Sequence, residues 1–339
     1  MTRRLPLLAL SLAAACALPR STQMAESASD EHVSHMSVAD ATPPAPLLAG
    51  NATDQQGTTG LPPSNQTARA RLASSPRHGE WVKIAWQPGS ADSLMAWIVY
   101  PSTSRKAPVV VVVHEIFGLS TWVRGVADQV AADGFIAIAP DFLSRVRGGP
   151  STDELQSDSA TKLIRGVDAA ERNRAVTAAA NYAMMLPAAT QKYAVIGYCW
   201  GGSTTFYHAI NGGVKGFSGG VAFYGLPYTS GGSSATATSP AVPASIVADS
   251  IAKIKVPVML LNGSKDARIS AAMPALDSIM KALKKDYSAM NYEGAVHGFL
   301  RAQADPKATR DETEEQANLA AAKDAWPRTI AFLRKSLRE

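Results

Sequence analysis

The sequence predicts an α/β fold with a mostly parallel central sheet and helices on both faces. Three observations carry that expectation. Short apolar runs suited to buried strands alternate, over residues 79–339, with longer alanine-rich stretches, and such alternation places crossover helices on both sides of a parallel sheet. One run, Val109–Val113, is five consecutive valines, the pattern of a strand covered on both faces. In Lys192–Ile210 a strand, a glycine-flanked turn and a helix follow one another directly.

Trp81–Trp86 and Leu94–Tyr100 read as opening strands, and Val109–Val113 as a central one. Thr121–Ala132 reads as a helix and Phe135–Ala139 as a second buried strand, closed by Pro140 and Asp141. Residues 153–165 and 168–185 read as helices, the second ended by Pro187. Lys192–Ile196 is a short buried strand, and Ser203–Ile210 a helix start. Strands follow at Gly220–Tyr224, Val256–Leu261 and Ser288–Tyr292, with a helix at Ala271–Leu283 before the last of them. The closing helix, Glu315–Leu337, is expected to break or kink at Pro327, which lacks an N–H and crowds the preceding turn. The polar tract Ser230–Ser245 reads as a surface-loop insertion. In such a sheet, catalytic groups belong at the carboxyl ends of the strands.

The chain is 339 residues long and 46% hydrophobic, enough for one large core plus extensions. Residues 1–20 combine Arg3 and Arg4 with the apolar run Leu5–Leu18, the layout of a secretory signal peptide. Export to the periplasm or medium is expected, without a transmembrane span, because the run is too short. Ala13-Ala14-Ala15-Cys16 fits either ordinary cleavage or a lipid anchor on Cys16, and both readings stay open. Residues 21–78, rich in Ala, Ser, Thr, Pro and Gly, read as a flexible low-complexity linker. The net charge of +5 falls to +2 once the three arginines of the first twenty residues are set aside. That gives nucleic-acid binding no support. A monomer is expected.

Of the two cysteines only Cys199 lies in the folded part, so no disulfide is expected there. It stands in Gly197-Tyr198-Cys199-Trp200-Gly201, which resembles the G-x-S-x-G nucleophile elbow of α/β-hydrolases with cysteine in place of serine. The elbow needs glycine two before and two after the nucleophile, because the strand turns so sharply that a Cβ would collide with backbone.

A thiol nucleophile needs a base, and the base needs an orienting carboxylate. Asp266, in Asn262-Gly263-Ser264-Lys265-Asp266, and His297, in Gly294-Ala295-Val296-His297-Gly298, each follow a strand, in the chain order nucleophile, acid, histidine. His32, His35 and His78 lie in or beside the linker and His208 on the helix after the elbow, a packing position. No histidine or cysteine cluster has metal-ligand spacing, so neither a metal nor another cofactor is expected. The Trp200 and Ile116 backbone N–H groups are the expected oxyanion donors.

Six segments together resemble the dienelactone hydrolase (carboxymethylenebutenolidase) family: HEIFG at 114–118, APD at 139–141, GYCWGG at 197–202, FYG at 223–225, NGSKD at 262–266 and HGF at 297–299. The resemblance spans about residues 80–337 and implies an α/β-hydrolase fold over 79–339. It implies a Cys199–His297–Asp266 triad acting on a small-molecule ester or lactone through an acyl-enzyme. It also implies that Glu115 contacts the resting thiol and takes its proton when substrate binds. Arg301 matches one of two arginines that hold the substrate carboxylate, and Phe117 and Tyr224, within the same motifs, join it as expected substrate-binding residues. Ser157 stands where the second arginine should be, with Thr161 and Ile164 in place of nearby aromatics; Arg145, Arg147 and Arg165 are the alternatives. Two other readings are a general carboxylesterase or thioesterase on uncharged substrates, and a non-enzymatic exported binding protein on the same fold.

Overall fold

The computed structural model describes residues 58–152, 155–227, 229–230, 245–305 and 308–338. The signal-like segment, residues 21–57 of the expected linker and the body of the 230–245 tract lie outside the described residues. In chain order the elements are α1 (Ala68–Ala73), β1 (Gly79–Ala85), β2 (Ser93–Val99), β3 (Ala107–Val113), α2 (Thr121–Ala132), β4 (Ile136–Pro140), α3 (Ser144–Arg147), α4 (Ser157–Ile164) and α5 (Ala169–Met184). They continue as β5 (Ala189–Tyr198), α6 (Trp200–Ile210), β6 (Phe217–Phe223), β7 (Thr229–Ser230), β8 (Ser245–Ile246), α7 (Ala248–Ile251), β9 (Val258–Gly263), α8 (Ala267–Ala282), β10 (Tyr287–Tyr292), α9 (Phe299–Ala302) and α10 (Glu312–Ser336).

Eight strands form one sheet in the order β1-β2-β4-β3-β5-β6-β9-β10, and β7 pairs with β8 where the polar tract leaves and rejoins the domain. Only β2 runs against the others. The mostly parallel α/β-hydrolase sheet expected from the sequence is therefore present. The all-valine stretch of β3 is fully buried, as are Ile136–Ala139 and Ala194–Ile196; helices cover both faces, which is why these strands carry no alternation. From β3 the chain crosses to β4 on one side and returns to β5 on the other. The loops after β3 and β5 thus diverge at a topological switch, where α/β sheets open their binding crevice.

Element boundaries shift by a few residues from the sequence reading, two helix starts among them. Helix α8 begins at Ala267 rather than Ala271, capped by Asp266, and α10 begins at Glu312 rather than Glu315, capped by Asp311. Helix α10 runs unbroken through Pro327, so the expected break is absent. Neighbouring turns and packing of Trp326 and Ile330 in the core hold the helix across the lost bond.

Residues 58–78 are not the flexible end of a linker. Leu61 and Ala68 are buried, the Trp122 indole N–H donates to the Pro63 carbonyl at 2.9 Å, and Arg71 donates to Leu61 O at 2.7 Å and Gln129 Oε1 at 3.0 Å. Arg77 makes a two-pronged ion pair with Asp128 at 3.0 and 2.6 Å. Gln303 donates to Pro62 O at 3.0 Å, and the Asn65 N–H to Arg301 O at 2.9 Å. The segment is a clasp made largely through backbone carbonyls, so its low apolar content hid it.

Candidate active site

Strand β5 ends at Tyr198 and helix α6 starts at Trp200, leaving Cys199 alone to make the turn, at φ 55° and ψ −116°. A non-glycine residue there costs on the order of 1–3 kcal/mol and persists only when its surroundings over-determine it. They do: Cys199 N–H donates to Phe223 O at 3.0 Å, and Cys199 O accepts from Ser203 N–H at 3.2 Å. A Cβ on Gly197 would sit 1.9 Å from Gly201 O, and one on Gly201 2.4 Å from Val113 O. Both glycines are therefore sterically required, as the elbow pattern predicts. The thiol is free and almost fully buried.

The loops after β9 and β10 are stitched together. Lys265 N–H donates to Ala295 O at 3.0 Å, Ser264 N–H to Tyr292 O at 2.8 Å, and Gly294 N–H to Ser264 Oγ at 2.9 Å. A Cβ on Gly263 would lie 2.4 Å from Ala295 O, so only glycine lets the loops approach this closely. The result is a 2.6 Å hydrogen bond from His297 Nδ1–H to Asp266 Oδ2, while Asp266 Oδ1 accepts from Ile269 N–H at 3.1 Å and caps α8. Cys199, His297 and Asp266 are thus brought to one corner of the sheet.

Electrostatics follow from that packing. Burial alone would lower the His297 value, but its interactions with Cys199 and the Asp266 hydrogen bond overrule burial and push it up to about 10. Asp266 shifts the other way: burial opposes its charge, yet the bond to His297 leaves the carboxyl below its usual range. His297 Nε2 is buried without a hydrogen-bond partner in good geometry.

The buried carboxylate of Glu115 lies 3.1 Å from Arg301 Nε. A guanidinium is a strong partner for a carboxylate. Arg301, expected to grip substrate, is consequently already neutralised, and its guanidinium lies 5.5 Å from the Phe117 ring centroid. Tyr224, also at positive φ (38°), packs its ring 4.9 Å from that of His297. The hydroxyls of Tyr198 and Tyr224 are buried without hydrogen-bond partners, and both values are driven well above normal by burial and then by the Glu115 charge.

Arg145 does not supply the second grip: it pairs with Asp92 at 2.5 Å and Glu171 at 2.7 Å and lies 3.9 Å from the Trp86 ring centroid. Arg147 donates to Pro150 O. Ser157 opens α4, with Ile164 buried at its other end. Trp200 and Ile116 head the turns after β5 and β3, and neither N–H is taken by a loop or turn bond among the described residues.

Sequence reasoning missed Asn318, whose Oδ1 accepts from Val296 N–H at 3.0 Å and braces the His297 loop from α10. It also missed Asn262, whose Nδ2 lies 2.9–3.1 Å from Gly263 O, Ser270 Oγ and Asn291 Oδ1 and shares its two hydrogens among them beneath the Asp266 loop. No spacing rule marks either. Among the described residues no group of three or more His, Cys, Asp or Glu could hold a metal ion, and no described helix is long and apolar enough to cross a membrane.

The sequence profile of the dienelactone hydrolase family matches residues 94–337. A carboxymethylenebutenolidase by name, from Methylorubrum extorquens, is 32% identical over 241 residues, covering 70% of this chain and 77% of its own. A Bradyrhizobium protein named as a 2-oxo-3-(5-oxofuran-2-ylidene)propanoate lactonase is 27% identical over 263 residues, covering 75% and 93%. Among solved structures, one described as a dienelactone hydrolase from Klebsiella pneumoniae superposes with a TM-score of 0.56 at 23% identity, covering 76% of this chain and 99% of that one. At that identity the superposition speaks for the fold.

Proposed function

Because the chain belongs to the dienelactone hydrolase family, and is thus a hydrolase of lactone or ester bonds, we propose that Cys199 is its nucleophile and that turnover runs through a thioacyl-enzyme. The observation that carries this reading is the strained Cys199 turn facing the Asp266–His297 pair. The thiolate attacks the carbonyl carbon and forms the C–S bond as the carbonyl electrons move to oxygen. The Trp200 and Ile116 N–H groups hold that oxyanion. Collapse expels the alkoxide, which takes the proton from His297 Nε2; for a lactone it stays tethered to the acyl group. Neutral His297 then draws a proton from water as the water attacks the thioester, and C–S cleavage restores thiolate and imidazolium.

The neutralised state of Arg301 supports a second reading, in which the substrate is an uncharged ester or lactone. The signal-like residues 1–20 add export, to the periplasm or beyond, with cleavage or Cys16 acylation as its two forms. One assay tests the chemistry and the substrate class: turnover of cis-dienelactone and of p-nitrophenyl acetate by the wild type and Cys199→Ala. Cys199→Ala should abolish both; survival of either at wild-type rate would overturn the thiol mechanism. A clear preference for the dienelactone would favour a carboxylate-displaced Glu115, and the reverse would favour uncharged substrates.

A further inference from the structure

His114 follows strand β3 and is fully buried, yet it belongs to no step above. Its Nε2 accepts the Phe142 backbone N–H at 3.2 Å, so the ring proton must sit on Nδ1, which donates to Glu115 O at 2.6 Å. The Glu115–Ile116 peptide is planar and trans, so its N–H points opposite to its C=O. A bond that fixes the Glu115 carbonyl therefore fixes the direction of the Ile116 N–H. The other face of the matter is Trp200: the His114 ring stacks on its indole, centroids 5.9 Å apart and planes 12° apart. Phe142 packs edge-on against both rings, at 5.1 Å from each. One side chain thus bonds the peptide that carries one expected oxyanion N–H and stacks on the residue that supplies the other.

We propose that His114 is a positioning residue that aims the oxyanion hole, orienting the Ile116 N–H by its bond to Glu115 O and bracing Trp200 by stacking. The inference rests on the acyl-transfer reading above. Burial lowers the His114 value against the pull of the nearby Asp141 charge and so favours the neutral ring that both bonds need.

The test is His114→Phe, which keeps an aromatic ring but loses both hydrogen bonds, beside His114→Gln, whose amide can donate to Glu115 O and accept from Phe142 N–H. On p-nitrophenyl acetate, His114→Phe should lower kcat roughly 30-fold with KM within about 3-fold, since a misaimed oxyanion donor acts on the transition state more than on the bound substrate. His114→Gln should recover to within about 5-fold of wild type. The infrared carbonyl band of the trapped thioacyl-enzyme should move to higher frequency in His114→Phe and return in His114→Gln, a shift that mere loosening of the fold would not produce. If His114→Phe does not fold, His114→Met leaves the same two partners bare and carries the same expectation. A folded variant lacking both bonds with unchanged kcat and carbonyl band, or with its loss confined to KM, would overturn the role of His114. Activity surviving in Cys199→Ala, run in parallel, would instead overturn the thiol reading beneath it.

Discussion

His297 and His208 are each held at one nitrogen or both by a 2.6–2.7 Å contact, and they titrate in opposite directions. His297 Nδ1 meets the Asp266 carboxylate at 2.6 Å; His208 meets neutral groups, Asn173 Oδ1 at 2.7 Å on one side and Tyr193 Oη at 2.7 Å on the other. Burial lowers both, and for His208 nothing opposes it, so its value drops to about 3, whereas the Cys199 and Asp266 charges carry His297 up to about 10. Contact distance does not separate these two histidines. The formal charge of the partner does.

The sharpest way to break this contrast is to make the His297 partner neutral. Asp266→Asn keeps a good helix cap for α8, because asparagine serves at an N-cap as well as aspartate, but removes one of the two partners whose charge raises His297. On the acyl-transfer reading, kcat/KM should fall about 10³- to 10⁴-fold with the melting temperature little changed. Steady-state kinetics and a thermal melt on the same preparation check it. A loss below about tenfold would mean that the carboxylate only tethers the ring.

How much of this corner was legible depended on the kind of constraint. The elbow around Cys199 was readable because two glycines are sterically compulsory at fixed spacing, and Asp266 and His297 because each must follow a strand in a set order. The helix starts at Ala267 and Glu312 were less legible, because an aspartate cap, Asp266 or Asp311, sets each one ahead of the apolar periodicity. The Glu115–Arg301 pair was illegible, since no linear spacing says which of two neighbouring groups a carboxylate will choose. The clasp at 58–78 was hidden by its composition: its contacts use the carbonyls of Leu61, Pro62 and Pro63, which every sequence possesses.

The second expected effect is on stability against pH. A lowered folded value means that the unfolded chain binds the extra proton, so the His208 contribution is complete above pH 6.5 and is lost as pH falls toward 3. His297 runs the other way: its contribution is complete below pH 6.5 and fades as pH rises toward 10. Each slope is about 1.4 kcal/mol per pH unit for one proton. Urea denaturation should therefore show a loss of about 3 kcal/mol from His208 between pH 6.5 and pH 4, with His114 acting in the same sense. Asn173→Asp, which sets a carboxylate where His208 now finds an amide oxygen, should flatten that acid limb and raise the His208 titration by about 1–3 units in an NMR titration. An unchanged limb would show that burial, not partner charge, governs this ring.

The smallest expected effect separates the two sites by what holds them from outside. Gln303 is fully buried just past α9; its amide donates to Pro62 O at 3.0 Å and Leu300 O at 2.9 Å and so ties the clasp to the turn that carries Arg301. Gln303→Leu removes both bonds and also an Oε1 that has no partner, so the net stability change should be only about 1 kcal/mol. The Asn65 N–H still holds Arg301 O at 2.9 Å, which limits the movement of the turn. Turnover should consequently fall no more than about 3-fold, roughly what the lost half of the tether is worth, while the His208 acid limb stays where it is. Loss of both together would mean that the clasp supports the whole core. A change confined to turnover would establish residues 58–67 as an external brace on the His297 side alone, and any shortened form of the protein should then begin before Thr58 rather than after His78.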